Sequence, residues 1–162
     1  MKRETSDIEW SLPRQCKAVV VHDDSETKRR AKELWDTILN DMGRDAQSGV
    51  TYLSAEQIEK APVCEHAAQI DVVIISMHDL ARFLSNVAGW LADWLNADTC
   101  LPRALFILHD GEEDRQLLNF LRTLAEFAGV TMFSCSRETD CVWHGGHSER
   151  SRHIAEMVAA IA

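Results

Sequence analysis

Three short apolar runs of this chain lead into the same dipeptide: His22-Asp23, His78-Asp79 and His109-Asp110. Imidazole and carboxylate together are the ordinary ligands of zinc and other divalent cations. Gathered at one place, they would bind such an ion, lower the pKa of a coordinated water and support hydrolysis. Asp24 doubles the first carboxylate. Asp23 and Asp24 are therefore the first candidates to hold a metal, magnesium or zinc, with His22 and His109 behind them. The plainer reading is that Asp before a helix is an N-cap and that His and Asp are common turn residues. Neighbours at a strand end also point to opposite sides, so one member of each pair turns away from any shared crevice.

A second cluster is Trp143-His144-Gly145-Gly146-His147. His144 and His147 would suit a metal or a lid, and the glycines would offer backbone N–H groups to an anion; a plain turn explains them as well. Ser76 or Cys135 with His109 would make a nucleophile and base, but no G-x-S-x-G elbow is present. No G-x-G-x-x-G and no Walker loop occurs, so nucleotide binding has no motif behind it.

Elements must carry these residues to a common place. Ala18 to Val21 is a continuous run rich in β-branched residues, as in a strand buried on both faces, and it leads into His22-Asp23-Asp24. Ser25 is placed to cap the next helix, whose stripe is Ala31, Leu34, Trp35, Ile38, Leu39 and Met42, with Gly43 as its stop. Val50 to Leu53 reads as a short edge strand, Ser54 to Lys60 as a helical piece broken by Pro62, and Cys64 to Gln69 as another. Residues 44–69 have the least defined path. Ile70 to Ile75 is the strongest strand and ends at Ser76-Met77-His78-Asp79. Leu80, Phe83, Leu84, Val87, Trp90, Leu91, Trp94 and Leu95 then repeat at helical spacing, with Trp90 and Trp94 read as core rather than as a partner's anchor. Ala104 to Leu108 is a strand leading to His109-Asp110-Gly111. The helix after it carries Leu117, Leu118, Leu121, Leu124, Ala125 and Ala128 and stops at Gly129. Val130 to Phe133 is the last strand, ending at Ser134-Cys135-Ser136, and Ser148 opens a final helix with Ile154, Met157, Val158 and Ile161 inward.

Strands alternating with helices imply right-handed crossovers. The expected fold is a three-layer, doubly wound α/β domain with a five-stranded parallel sheet in the order 2-1-3-4-5. It occupies residues 1–162 as a single domain, with 1–15 as an N-terminal arm. A ligand site in such a sheet lies beyond the C-terminal strand ends, where the winding reverses. That rule gathers Asp23, Asp24, Ser76, His78, Asp79, His109 and Asp110 as one candidate site.

The 162 residues are 46% apolar and 27% charged, ordinary values for a globular domain. The net charge of −9 speaks against a nucleic-acid partner, which needs clustered cations. Lys28, Arg29, Arg30 and Lys32 do cluster, but Glu26 and Glu33 accompany them, as on a solvated helix face. No stretch approaches the ~20 apolar residues of a membrane span, and residues 1–15 lack an apolar signal core, so a cytoplasmic protein is expected. The five cysteines are odd in number and without a C-x-x-C pair, which suggests reduced thiols.

Laid out this way, residues 17 to 162 resemble the receiver domain of bacterial response regulators. In that family an acidic pair ends the first strand and helps hold magnesium, and Asp23-Asp24 stand there. The family's phospho-accepting Asp ends the third strand, where this chain has Ser76. Its Ser or Thr ending the fourth strand is replaced by His109, and its Lys ending the fifth by Ser134-Cys135-Ser136, with Arg137 the nearest cation. The resemblance thus implies a receiver-like fold without phosphorelay chemistry. His22 to Thr27 followed by Ala31-Lys32, together with Trp90 to Leu95, also resemble a group of bacterial proteins of this architecture to which no activity attaches. Asp71 to Ser76 and the helix after it are similar to the TIR fold.

The first functional expectation is a non-catalytic signalling or protein-interaction module acting on a protein partner or a second copy of itself. Two other classes stay open: a metal-dependent hydrolase using the His-Asp strand ends, and a binder of a small anionic ligand, a flavin or a nucleotide, at the same edge.

Overall fold

Apolar residues fill the three central strands, which are parallel and buried on both sides, while the two edge strands are partly exposed. The computed structural model describes residues 16–42, 48–60, 67–97, 103–110 and 115–136. Their order is β1 (Cys16–His22), α1 (Ser25–Met42), β2 (Ser48–Ser54), α2 (Ala55–Lys60), a 3₁₀ turn (Ala67–Gln69), β3 (Val72–Met77), α3 (Leu80–Asn96), β4 (Arg103–His109), α4 (Arg115–Phe127) and β5 (Val130–Ser136). The sheet runs β2-β1-β3-β4-β5 with every pair parallel, as the alternation predicts. The N-terminal arm, His144, His147, Arg137 and the helix expected after Ser148 lie outside the described residues.

The pleat divides each central strand between two cores. Ala18, Val20, Val72, Ile74, Ala104, Phe106 and Leu108 face the side of α1, whose Ala31, Leu34, Trp35 and Ile38 meet them. Val19, Val21, Val73, Ile75, Met77, Leu105 and Ile107 face the other side, against Ile58 of α2, Val87, Trp90, Leu91 and Trp94 of α3, and Leu118, Leu121 and Ala125 of α4. Each fully buried aliphatic side chain here contributes about 2 kcal/mol. Trp90 and Trp94 are both core, as their spacing implies. Gly129 ends α4 with φ of 70°, a conformation only glycine adopts freely.

Three details differ from the sequence reading. Ser25 is the first helical residue of α1, and the cap is Asp24, whose Oδ1 accepts the Thr27 N–H at 2.9 Å. The fifth strand runs on to Ser136, because Ser134 and Cys135 extend its ladder against β4. Cys135 is disulfide-bonded, so the expectation of reduced thiols does not hold there. Spacing along the chain does not reveal which cysteines approach in space. Cys16 is buried and carries no disulfide.

At the sheet edge away from the candidate site, Arg103 is almost fully buried. Its guanidinium donates to the Trp94 carbonyl, to Leu95 O at 3.1 Å and to Ala128 O at 3.4 Å, and lies 5.0 Å from the Trp94 ring centre. The ends of α3 and α4, where carbonyls lack helical partners and the dipole is negative, thus share one cation. Replacing Arg103 by Met removes this donor from the Leu95 and Ala128 carbonyls, while Trp94 O keeps the Ala97 N–H at 3.2 Å. The variant is expected to lose about 2–3 kcal/mol in urea unfolding, with Arg103→Lys between it and the parent. An unchanged midpoint would show that the guanidinium does not hold the two helix ends.

Candidate functional site

The winding of the sheet reverses between β1 and β3, and three loops leave the C-terminal edge there: β1 to α1, β3 to α3 and β4 to α4. His22 pairs in register with Ser76, and Met77 with His109. Pleat parity then sorts the candidates. His22, Ser76, His78 and Asp110 follow the residues that face α1, whereas Asp23 and His109 follow those that face α3 and α4.

Of the seven residues proposed from sequence, three meet by their side chains. His78 Nε2 lies 2.7 Å from Asp24 Oδ2, and His78 Nδ1 bonds Asp110 Oδ2. Asp110 Oδ1 accepts from Arg30 Nη1 in a half-buried ion pair. Asp23 joins through the backbone, its Oδ2 accepting the His78 N–H at 3.3 Å. The remaining three are elsewhere. Asp79 is the N-cap of α3, its Oδ1 accepting Arg82 N–H at 3.2 Å. His109 is buried on the opposite face of the sheet. Ser76 is fully buried beneath the cluster, and its hydroxyl has no hydrogen-bond partner among the described residues. Ser76 and His109 therefore do not form a nucleophile–base pair, because adjacent ladder positions send them to opposite sides.

Sequence reasoning missed Thr27 and Arg30. Thr27 is fully buried, and its Oγ1 accepts the N–H groups of Asp23 at 3.0 Å and Asp24 at 2.9 Å while donating to Asp24. The Asp24-x-x-Thr27 spacing, a reciprocal cap, was the available signal. Arg30 was read as part of a solvated basic face. It stands three residues after Thr27 and four before Leu34, which puts it on the inward stripe, unlike Arg29 with its exposed Glu33 partner.

The electrostatics follow from these contacts. The bond to Asp110, then the bond to Asp24, raises the His78 pKa above 6.5. The Thr27 backbone N–H, then His78, holds Asp24 down at about 2. Carboxylates only accept, so an imidazole that donates to both must carry both protons: His78 is an imidazolium when the bridge is complete. Burial, and next the Lys28 ammonium, lowers the His22 pKa below 6.5. His22 stands behind the cluster as a neutral ring whose Nδ1 has no partner among the described residues.

The donor set does not suit a metal ion. Both oxygens of Asp24 and of Asp110 are engaged by Thr27, His78 and Arg30, and Asp23 takes the His78 N–H. Among the described residues no three His, Cys, Asp or Glu side chains are arranged to hold a metal ion. His22 and His109 lie on opposite faces of the sheet, so the two imidazoles do not converge. An anion fits no better, since the first amides after β1 are already bonded to Thr27 and Asp24, and three carboxylates surround them.

The bridge has a definite pH range. The folded His78 pKa is raised, so its contribution is complete below 6.5 and is lost as pH climbs through the folded value. The Asp24 pKa is depressed, so its share is complete above 3.8 and is lost as pH falls towards 2. Urea midpoints of the parent and of His78→Gln, taken across pH, are expected to differ most between those limits and to converge as pH rises through the folded His78 value. A gap that widens with rising pH would contradict the imidazolium bridge.

No family model matches this chain, and no curated protein matches it in sequence. Among solved structures it is similar to a flavodoxin from Streptococcus pneumonia TIGR4, with 14% identity, a TM-score of 0.51, and coverage of 91% of this chain and 99% of that one. It is also similar to two-electron reduced Megasphaera elsdenii flavodoxin, with 17% identity, a TM-score of 0.51, and coverage of 90% and 99%. At such identities the likeness shows a flavodoxin-like fold and nothing about what the strand ends do.

Proposed function

We propose that this protein is a non-catalytic, receiver-like interaction module whose strand-end rim is closed by its own charges. One observation carries the reading. The place where a receiver would present its phospho-accepting carboxylate holds Ser76, fully buried, and over it lies the bridge Asp24–His78–Asp110–Arg30. A phosphoryl group arriving there would meet a weak nucleophile without solvent access and three carboxylates that repel it. The acidic pair remains from the receiver pattern, but it works as a cap and as an ion-pair partner.

The alternatives draw less support. A metal-dependent hydrolase needs carboxylate and imidazole groups open to an ion, and Asp24, His78 and Asp110 are bonded to one another, to Thr27 and to Arg30. A flavin or nucleotide phosphate needs free backbone N–H groups at the β1–α1 turn, and Thr27 already takes two of them.

The test is incubation of the full chain with acetyl phosphate and Mg²⁺, read by intact mass, beside a thermal-shift series with flavin mononucleotide and ATP. Unchanged mass and unchanged melting are expected. An added phosphoryl group on a strand-end residue, or a melting rise that scales with ligand concentration, would overturn the reading.

A further inference from the structure

Register places two residues of the rim over two buried polar atoms. His22 pairs with Ser76 across β1 and β3. Residues two apart on a strand share a face, so His78 follows Ser76 on the side of α1. Asp24 stands two residues past His22, in the turn that opens α1. The contact between His78 Nε2 and Asp24 Oδ2, 2.7 Å long, therefore spans the point where the sheet reverses its winding. Beneath it lie Ser76 Oγ and His22 Nδ1, both buried and without a hydrogen-bond partner among the described residues. Polar atoms left so cost free energy that a single water reaching them would recover. The imidazolium bridge holds the rim closed against that cost.

The bridge needs both ring protons. A neutral imidazole keeps one N–H and turns a lone pair to the other carboxylate, so one of the two contacts must part. Solvent decides which. The Asp110 side chain is 18% exposed and has Arg30 on its second oxygen, whereas the Asp24 side chain is 50% exposed. Water replaces the imidazole readily at Asp24 and poorly at Asp110, where a lost donor leaves a largely buried carboxylate short. The proton therefore stays on Nδ1, and the Asp24 side lets go. The bond from the His78 N–H to Asp23 Oδ2, at 3.3 Å, is only a weak tie between the same two loops. The charged groups facing the ring are Asp23 and Asp24 of the β1–α1 turn and Asp110 after β4, with Arg30 of α1 behind Asp110. Lys28 of α1 acts on His22 below, and Asp79 is turned to the Arg82 N–H at the start of α3. Glu112, Glu113 and Asp114 follow Asp110 in the chain and lie outside the described residues.

We propose that the Asp24–His78 contact is a proton-operated latch: when the ring loses its proton this contact opens, the Asp110–His78 contact holds, and Ser76 Oγ and His22 Nδ1 meet solvent. The two carboxylate bonds raise the His78 pKa, so the latch stays shut past pH 6.5 and opens as pH climbs through the folded value. The latch is independent of the module reading, since a phosphoryl adduct would overturn that reading and leave the tautomer of His78 untouched. Two readouts test it. Long-range ¹H–¹⁵N spectra of the ring nitrogens, taken across pH on the ¹⁵N-labelled full chain and assigned through the backbone, are expected to end on the Nδ1–H tautomer of His78. This readout needs no substitution. Access to the floor is read from Ser76→Cys, alkylated with iodoacetamide and located by peptide mass. Its rate is expected to rise about tenfold beyond thiolate formation as His78 titrates. In Ser76→Cys with His78→Ala, which has no ring to close the latch, the rate is expected to follow thiolate formation alone. An Nε2–H tautomer above the titration, or a thiol at position 76 that follows its thiolate fraction with His78 in place, would overturn the latch.

Discussion

A strand buried on both faces must send successive side chains to opposite sides, and in this sheet that alternation governs everything at the C-terminal edge. β1, β3 and β4 lie adjacent and parallel, with Val21, Ile75 and Ile107 aligned across them. Their ends are therefore level, and parity decides which residue of each terminal pair turns towards α1. His78 and Asp110 do; His109 does not. The three His-Asp pairs look equivalent along the chain, yet they have different fates because the strands end at different phases of the pleat. One pair places its histidine in the cluster, another its aspartate, and the first contributes through Asp24, beyond its second residue.

Once placed, the charged groups neutralise one another. Asp24 and Asp110 would repel at close range, and His78 lies between them as a cation. Arg30 takes the second oxygen of Asp110, and Thr27 takes the second oxygen of Asp24 while satisfying the amides of the turn. The outcome is a rim in which donors and acceptors are matched within the protein. Catalytic and ligand-binding rims on similar sheets keep unmatched groups facing a crevice. Among the described residues, the buried Ser76 Oγ and His22 Nδ1 beneath this rim have no hydrogen-bond partner. The bridge also joins the loops after β1, β3 and β4 to α1, so the chemistry that closes the site also fixes the relative positions of those loops.

The opposite edge solves a different electrostatic problem with a single residue. The C-terminal ends of α3 and α4 present carbonyls without helical donors, and Arg103 reaches both from the first position of β4. Burial lowers its pKa, and helix dipoles and the Trp94 ring supply the compensating negative potential. With both helices pinned at these ends, α3 and α4 are held side by side as one surface.

Periodicity in the sequence was enough to determine the layers. Period-2 and period-3.6 patterns distinguish the strands from the helices, and the alternation of the two implies parallel pairing and suggests the 2-1-3-4-5 order, which the structure has. It also marked the rim as the place where Asp23, Asp24, His78 and Asp110 would lie, and Trp90 and Trp94 as core. Only the tertiary structure decided which of them touch. Contacts between residues 54 and 80 positions apart depend on register and pleat phase to within one residue, and a shift of one sends every side chain to the other face. Arg30 and Leu124 show the same limit on helices. Arg30 looked solvated and turns inward to Asp110, while Leu124 looked inward and lies in solvent. The width of a helix's buried stripe is set by the elements packed against it, which no single segment encodes.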